Sequence, residues 1–320
     1  MTSHDGMRRT VISGSRTFSL DPIPPFRLDL TVWTLRRRAD NQVDRWDGQT
    51  YQRTLAAPDG AAITMGVSQS GPPDAPRLYV TLSRPRLSQE MEDLARGALE
   101  RMLGVNVDLS EFYRFAATDI HLGPLVQRFR GAKPPRFPTI FETLANAIAC
   151  QQITLTQGIH LLNRLAHTYG LDGLAFPRPQ DIAALDPQDL KPLGFSANKG
   201  RALVELARAI CDNALDLEAL AGLDDGAALS CLLALRGIGR WSAEYSLLRG
   251  LGRTHIFPGD DVGGRNNLQR WLRFAEPLDY ARVGRTLAGW KPYGGLIYFH
   301  LLLDRLMQSG QLPDLATAEG

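Results

Sequence analysis

Three stretches in the first third of the chain alternate apolar and polar residues one by one. Phe26, Leu28, Leu30 and Val32 are separated by Arg27, Asp29 and Thr31; Ile63, Met65 and Val67 repeat the pattern, as do Leu78, Val80 and Leu82. A period of two puts successive side chains on opposite faces of a strand, so each stretch predicts a half-buried antiparallel strand. Asp47-Gly48 and Gly71-Pro72-Pro73 lie between them as turns. Met91, Leu94, Ala95, Ala98 and Met102 then fall on one face of a helix. The first 20 residues are polar and without period, which predicts a loose terminus. Residues 1–108 are therefore expected to form a small α+β domain with an antiparallel sheet.

From residue 109 to 320 the alternation gives way to helical spacing with Gly and Pro punctuation, which predicts a mainly α domain. Pro134, Pro135 and Pro138 make an extended connector. Thr139 with Glu142, and Thr154 with Gln157, are capping boxes that open two helices and leave Gln151-Gln152 at their junction. Asp186-Pro187 starts a further short segment and Gly194 ends it.

Composition narrows the class only slightly. At 320 residues, 44% hydrophobic and 22% charged, the chain is an ordinary globular one. A formal charge of +2 includes no polybasic tail, although a local basic patch is compatible with it. Cys150, Cys211 and Cys231 are far apart in apolar helical contexts, as expected of reduced packing thiols in a cytoplasmic protein. Neither a leader nor a membrane span is recognisable, so no membrane partner is expected.

The chemistry concentrates between Leu235 and Leu268. Leu235-Arg-Gly-Ile-Gly239 reads as a tight hairpin between two helices, with Ile238 plugged into the core. Such a hairpin aims the free backbone N–H groups of the second helix outward, where they can bind phosphate; it can equally be a mere corner. Phe257-Pro-Gly-Asp-Asp261 follows, a loop with two carboxylates before another helix. One of them is expected as an N-cap, and the other is surplus. Trp241 and Tyr245, four apart, share a helix face that in an arbitrary protein would be core.

Hairpin, intervening helix and Asp loop together resemble the helix-hairpin-helix (HhH-GPD) DNA glycosylase superfamily. Ala147-Ile-Ala-Cys-Gln-Gln-Ile-Thr154, Leu193-Gly-Phe-Ser-Ala-Asn-Lys-Gly-Arg-Ala202 and Trp290-Lys-Pro-Tyr293 are similar to further segments of that family. Gly237-Ile-Gly-Arg-Trp-Ser-Ala-Glu-Tyr245 is closest to its alkylpurine branch, the 3-methyladenine DNA glycosylase II type, which also carries an N-terminal α+β domain. The resemblance implies a monofunctional glycosylase, with Asp261 catalytic and Asp260 the cap. It makes Trp241 and Tyr245 walls of a base pocket, with Trp290 and Tyr293 as further candidates. Electron-rich rings there would attract an alkylated, cationic purine. Gln152 matches the side chain inserted into the duplex when a base is flipped out. Gly237, Gly239, Lys199 and Arg201 are then expected at phosphates, and a monovalent cation at the carbonyls of Gly237 and Gly239.

Branches that also cut the strand carry a lysine where Trp241 stands, and no lysine lies between Lys199 and Lys291. The four-cysteine iron–sulfur loop of other branches is missing, since no cysteine follows Cys231. No cofactor is implied. The expected partner is duplex DNA with damaged bases, bound by a monomer in the cytoplasm, nucleoid-associated in a bacterium. Two alternatives stand: a glycosylase for oxidised or deaminated bases, and a hairpin DNA-binding module without catalysis.

Overall fold

Alternation sets the register of the sheet. In the computed structural model, which describes residues 14–312 apart from 58 and 85, strands β1 (Ser15–Leu20), β2 (Arg45–Trp46), β3 (Thr50–Ala56), β4 (Ala62–Ser70) and β5 (Arg77–Ser83) form one antiparallel sheet. Its order is β1-β5-β4-β3-β2. Val80 pairs with Phe18 on one side and Val67 on the other, and Met65 pairs with Leu82. The even positions of β5 thus join Ile63, Met65 and Val67 in one buried face, while Arg77, Tyr79, Thr81 and Ser83 face outward. Helices α1 (Leu28–Arg36) and α2 (Gln89–Leu103) pack with that buried face.

Two expectations for this region are corrected. The stretch from Phe26 to Val32 forms no strand: Leu28, Leu30 and Val32 belong to helix α1, which Phe26 precedes. Leu28, Val32 and Leu35 pack with the sheet while Leu30 and Trp33 pack with helices further along the chain, so the helix is buried on two sides and its polar/apolar period is erased. Residues 15–20, expected to be loose, form edge strand β1; residues 1–13 lie outside the described chain.

The helical region comprises α3 (Ser110–Ala117), α4 (Leu122–Arg128), α5 (Ile140–Cys150), α6 (Leu155–Tyr169), α7 (Pro179–Ala183), α8 (Ala197–Cys211), α9 (Asp225–Leu233), α10 (Arg240–Arg249), α11 (Val262–Trp271), α12 (Tyr280–Leu287) and α13 (Gly294–Gln308). One core joins α5 through α10, and another joins α3, α4 and α11 through α13 with Leu30 and Trp33 of α1. Helix α10 sits where cores meet: Ala243 and Leu247 belong to the first helical core, Tyr245 to the core under the sheet. Cys211 and Cys231 are exposed rather than packed, and Cys150 is half-buried; all three are free thiols.

A buried ionic knot closes the seam between sheet and helices. Arg53 of β3, fully buried, donates to Asp44 at 2.6 Å and to both carboxylate oxygens of Glu142 on α5 at 2.6 and 2.7 Å. This also explains why the capping box expected at Thr139 is only half made: Thr139 accepts the Glu142 N–H at 3.0 Å, but the Glu142 carboxylate turns inward to Arg53. Arg53→Met should destabilise the fold by about 3–5 kcal/mol in urea denaturation, because it leaves two buried carboxylates without their cation. A loss below about 1 kcal/mol would show that the knot is solvated and does not join the two regions.

Candidate active site

Local sequence dictates the hairpin between α9 and α10. Asp224 caps α9 by accepting the Ala227 N–H at 2.8 Å. The chain then turns at Gly237, whose φ of +77° and whose Cβ position, 2.9 Å from the Ala202 methyl, admit only glycine. Ile238 is buried as expected. Gly239 stands differently: its backbone is extended and a Cβ there would meet nothing within 4 Å. It precedes α10 with no side-chain cap, so the N–H groups of the first turn of α10 are left to an outside acceptor.

Helix α10 then grips the loop that carries the aspartates. Arg240 pairs with Asp260 at 2.6 Å, and its guanidinium lies 3.7 Å from the Tyr280 ring centroid. Glu244 accepts the Gly259 N–H at 2.9 Å and the Tyr280 hydroxyl at 2.5 Å. Burial raises the Glu244 carboxyl, and its bond to Glu244 pushes the Tyr280 hydroxyl up to about 12. Trp241 donates its indole N–H to Asp261 Oδ2 at 3.0 Å. The three contacts leave α10 at positions 240, 241 and 244, so one rigid helix holds the loop at three successive points.

Here the division of labour expected for the two carboxylates is corrected. Asp261, not Asp260, caps α11: its Oδ1 accepts the Gly264 N–H at 2.7 Å. Asp260 is occupied by Arg240. Capping uses one oxygen of Asp261 only, and Oδ2 points to the opposite side, where it meets the Trp241 N–H and the Tyr298 hydroxyl at 2.9 Å. Cap and candidate functional carboxylate are thus one residue, with Oδ2 fixed by two donors while Oδ1 caps the helix and keeps a lone pair open.

Tyr298 was not anticipated from the sequence. It lies on α13, half-buried, and desolvation together with the Asp261 charge holds its hydroxyl well above the ordinary tyrosine value, so it stays a donor. Gly264 makes room for it, since a Cβ there would lie 2.8 Å from the Tyr298 ring; Phe257 packs edge-on against it at 5.4 Å. A lone hydroxyl at the start of an otherwise apolar helix, with Gly294 and Gly295 just before it, was the available signal.

Trp241 and Tyr245 meet with ring centroids 5.5 Å apart, Trp241 half-buried and Tyr245 buried. Trp290 and Tyr293 are not brought to them. The Trp290 indole donates to Asp119 at 2.6 Å and stacks on Trp271, and Tyr293 packs between Phe112 and Phe115 at 5.1 Å from each, in the core formed by α3, α4 and α13. The two glutamines also part company. Gln151 reaches across to the hairpin, donating to the Gly237 carbonyl at 2.7 Å and the Ser242 hydroxyl at 2.9 Å. Gln152 is exposed at the tip between α5 and α6 with φ +55°, a conformation few non-glycine residues adopt, and projects from the same junction.

Lys199 is half-buried and donates Nζ to the Ala149 carbonyl at 2.9 Å, closing the end of α5; burial lowers its pKa. Arg201 is exposed on α8, next in the chain to Ala202, the residue that abuts Gly237. Of the carbonyls expected at a cation, Gly237 O accepts from Gln151 at 2.7 Å and Gly239 O accepts the Ala243 N–H at 3.0 Å, so each carries one hydrogen bond. Among the described residues no cluster of His, Cys, Asp or Glu could hold a metal ion.

If the geometry at Asp261 depends on its two Oδ2 donors, Tyr298→Phe should lower the turnover of whatever reaction Asp261 serves by about tenfold with little change in ligand affinity. Asp260→Asn should leave that turnover within about threefold, since it loosens only a half-exposed ion pair. A larger loss from Asp260→Asn than from Tyr298→Phe would reverse the two roles.

The family model described as "HhH-GPD superfamily base excision DNA repair protein" matches residues 145–292. The chain is 27% identical to DNA-3-methyladenine glycosylase 2 of Escherichia coli, over 89% of this chain and 96% of that protein. It is 30% identical to DNA-3-methyladenine glycosylase of Bacillus subtilis over 58% of this chain, and that match spans only 63% of the relative's length. In another Bacillus subtilis relative, YfjP, 31% identical, the match spans 60%. The fold is shared with the solved 3-methyladenine DNA glycosylase of Archaeoglobus fulgidus, with a TM-score of 0.78 at 24% identity over 90% of this chain and 98% of that one. The Schizosaccharomyces pombe 3-methyladenine DNA glycosylase, solved in complex with abasic DNA, is 25% identical and covers 62% of this chain and 95% of its own, with a TM-score of 0.54.

Proposed function

We propose that this chain, which belongs to the HhH-GPD superfamily of base excision DNA repair proteins, is a monofunctional DNA glycosylase that releases alkylated purines from duplex DNA by hydrolysis. The observation that carries the proposal is the convergence on one carboxylate oxygen of Asp261 of two donors, one of them from the aromatic pair that would stack a flipped base. A corner between helices needs neither the second oxygen nor the pair.

In this scheme the free N–H groups at the start of α10 and Arg201 bind the phosphate backbone, and Gln152 fills the gap left in the stack. The base lies against Trp241 and Tyr245. As the bond between base and C1′ breaks, its electron pair leaves with the base and positive charge builds on the sugar. Asp261, fixed and half-buried, stabilises that charge. Oδ2 is filled by its two donors, so the lone pair still open on Oδ1 is the one that orients the attacking water; the water oxygen bonds to C1′ and its proton passes through the carboxylate to solvent. Trp290 and Tyr293 take no part. A site in the cytoplasm and action as a monomer on DNA accord with this chemistry.

The test is release of base from duplex DNA containing 3-methyladenine or 1,N6-ethenoadenine. An abasic sugar in an uncut strand is expected, with no enzyme–DNA adduct trapped by borohydride, because the lysine nearest the hairpin, Lys199, has its amine on Ala149 O and no imine forms. A borohydride-stable adduct would move the chain to strand-cutting chemistry, and absence of release of either base would overturn the alkylpurine reading.

The phosphate contact is tested at Gly239. Because space for a side chain is open there, Gly239→Val should fold as the wild type does yet bind all duplex sequences about tenfold more weakly, with a shallower dependence of affinity on salt. Unchanged binding would remove the hairpin from the interface.

A further inference from the structure

Helix α1 ends at a residue that local rules do not favour. Arg37 takes φ +61° and closes the helix by donating its backbone N–H to Trp33 O. That left-handed position is normally filled by Gly or Asn, because a Cβ there is strained. The side chain is only 5% exposed, and among the described residues no carboxylate is hydrogen-bonded to it. Asp44 and Glu142 are held by Arg53, and Asp261, the carboxylate of the candidate site, is held by Trp241 and Tyr298. Arg249, a second buried cation, stands close enough to repel it. A strained backbone, a buried charge and a like-charged neighbour all cost free energy, so the reason for this arginine lies in what its side chain holds.

Both partners of the guanidinium are neutral. Nη1 donates to the Tyr245 hydroxyl at 2.9 Å and Nη2 to Asn146 Oδ1 at 2.7 Å. Asn146 is fixed in turn, since its Nδ2 donates to the Glu142 carbonyl one turn earlier on α5 at 3.0 Å. A guanidinium is a rigid planar fork, so with one branch anchored on α5 the other holds the Tyr245 hydroxyl at one point. Tyr245 backs Trp241 with ring centroids 5.5 Å apart, and Trp241 is bonded to Asp261.

We propose that Arg37 is a positioning residue of the base pocket: anchored on Asn146, it fixes the Tyr245 ring behind Trp241, and through this one hydrogen bond the sheet domain takes part in recognising the damaged base. The guanidinium does not touch the base. It acts through ring geometry, so its role is the same for any base that the two rings stack. The inference rests on Trp241 and Tyr245 forming the base pocket.

The experiment is a double-mutant cycle read in binding. Duplexes carry either 7-methylguanine on a 2′-fluoro sugar, whose glycosidic bond resists cleavage, or no lesion. They are titrated with the full chain and with Arg37→Met, Tyr245→Phe and the double variant, each checked for folding. The readout is the ratio of the two affinities, because a weaker phosphate contact lowers both alike and a loosened pocket lowers only one. The wild type is expected to prefer the damaged duplex. Each single substitution should shrink that preference by about fivefold, and the double variant should lose no more than either, because all three remove the same hydrogen bond. Arg37→Lys keeps the charge but lacks the second branch, so it should match Arg37→Met, and it replaces that variant if Arg37→Met does not fold. Full preference in a folded Arg37→Met or Arg37→Lys protein overturns the inference, as do losses that add in the double variant. If the wild type itself shows no preference for the damaged duplex, the base-pocket reading fails and takes the inference with it.

Discussion

The grip of α10 on the loop from Pro258 to Asp261 is the constraint on which the candidate site depends. A loop built of Pro, Gly and Asp has no side chains with which to pack itself, and left alone it would sample many conformations. Arg240, Trp241 and Glu244 each bind a different residue of it. Because all three come from one helix buried between two cores, loosening the helix anywhere loosens the carboxylate. The hairpin before α10 is tied into the same unit, since Gln151 links the α5–α6 junction to Gly237 and to Ser242. The surface proposed to meet phosphate and the carboxylate proposed to act on sugar are thus both held by the first turns of one rigid helix.

The sheet domain contributes more than support. Its α1 ends at the residues that hold Arg249, and Arg37, in the left-handed conformation just beyond, reaches Tyr245. The charge behind the aromatic pair is therefore set partly by the N-terminal region, and the Arg53 knot fixes that region against α5. Residues from both regions thus surround Tyr245.

Much of this was legible in the sequence where a pattern is local. The strands at Ile63–Val67 and Leu78–Leu82, the second capping box at Thr154 and the corner at Gly237 all depend on neighbours in the chain, and all are found. Helix α1 was misread because burial on two sides leaves no polar stripe, and 28, 30 and 32 then look like alternation; the spacing 28, 32 and 35 was the helical signal. Asp261 was expected to leave capping to its neighbour, yet the residue immediately before Val262 is the one whose side chain can reach the Gly264 N–H. Tyr298, Glu244 and Arg249 act through residues distant in sequence, and a single sequence does not display such pairings. Trp290 and Tyr293 show the converse: a motif-like segment whose aromatic rings are spent on the core around Asp119, Phe112 and Phe115.

The central claim is that the divided carboxylate of Asp261 performs chemistry as well as capping. Asp261→Asn retains an acceptor for the Gly264 N–H and the size of the side chain, so it changes the charge while sparing the cap. Single-turnover release of ethenoadenine or 3-methyladenine from duplex DNA by this variant, measured beside its affinity for the same duplex, separates the two roles. Release is expected to fall by about three orders of magnitude or more while affinity stays within a few-fold. Release near the wild-type rate by a folded Asp261→Asn protein would contradict the account.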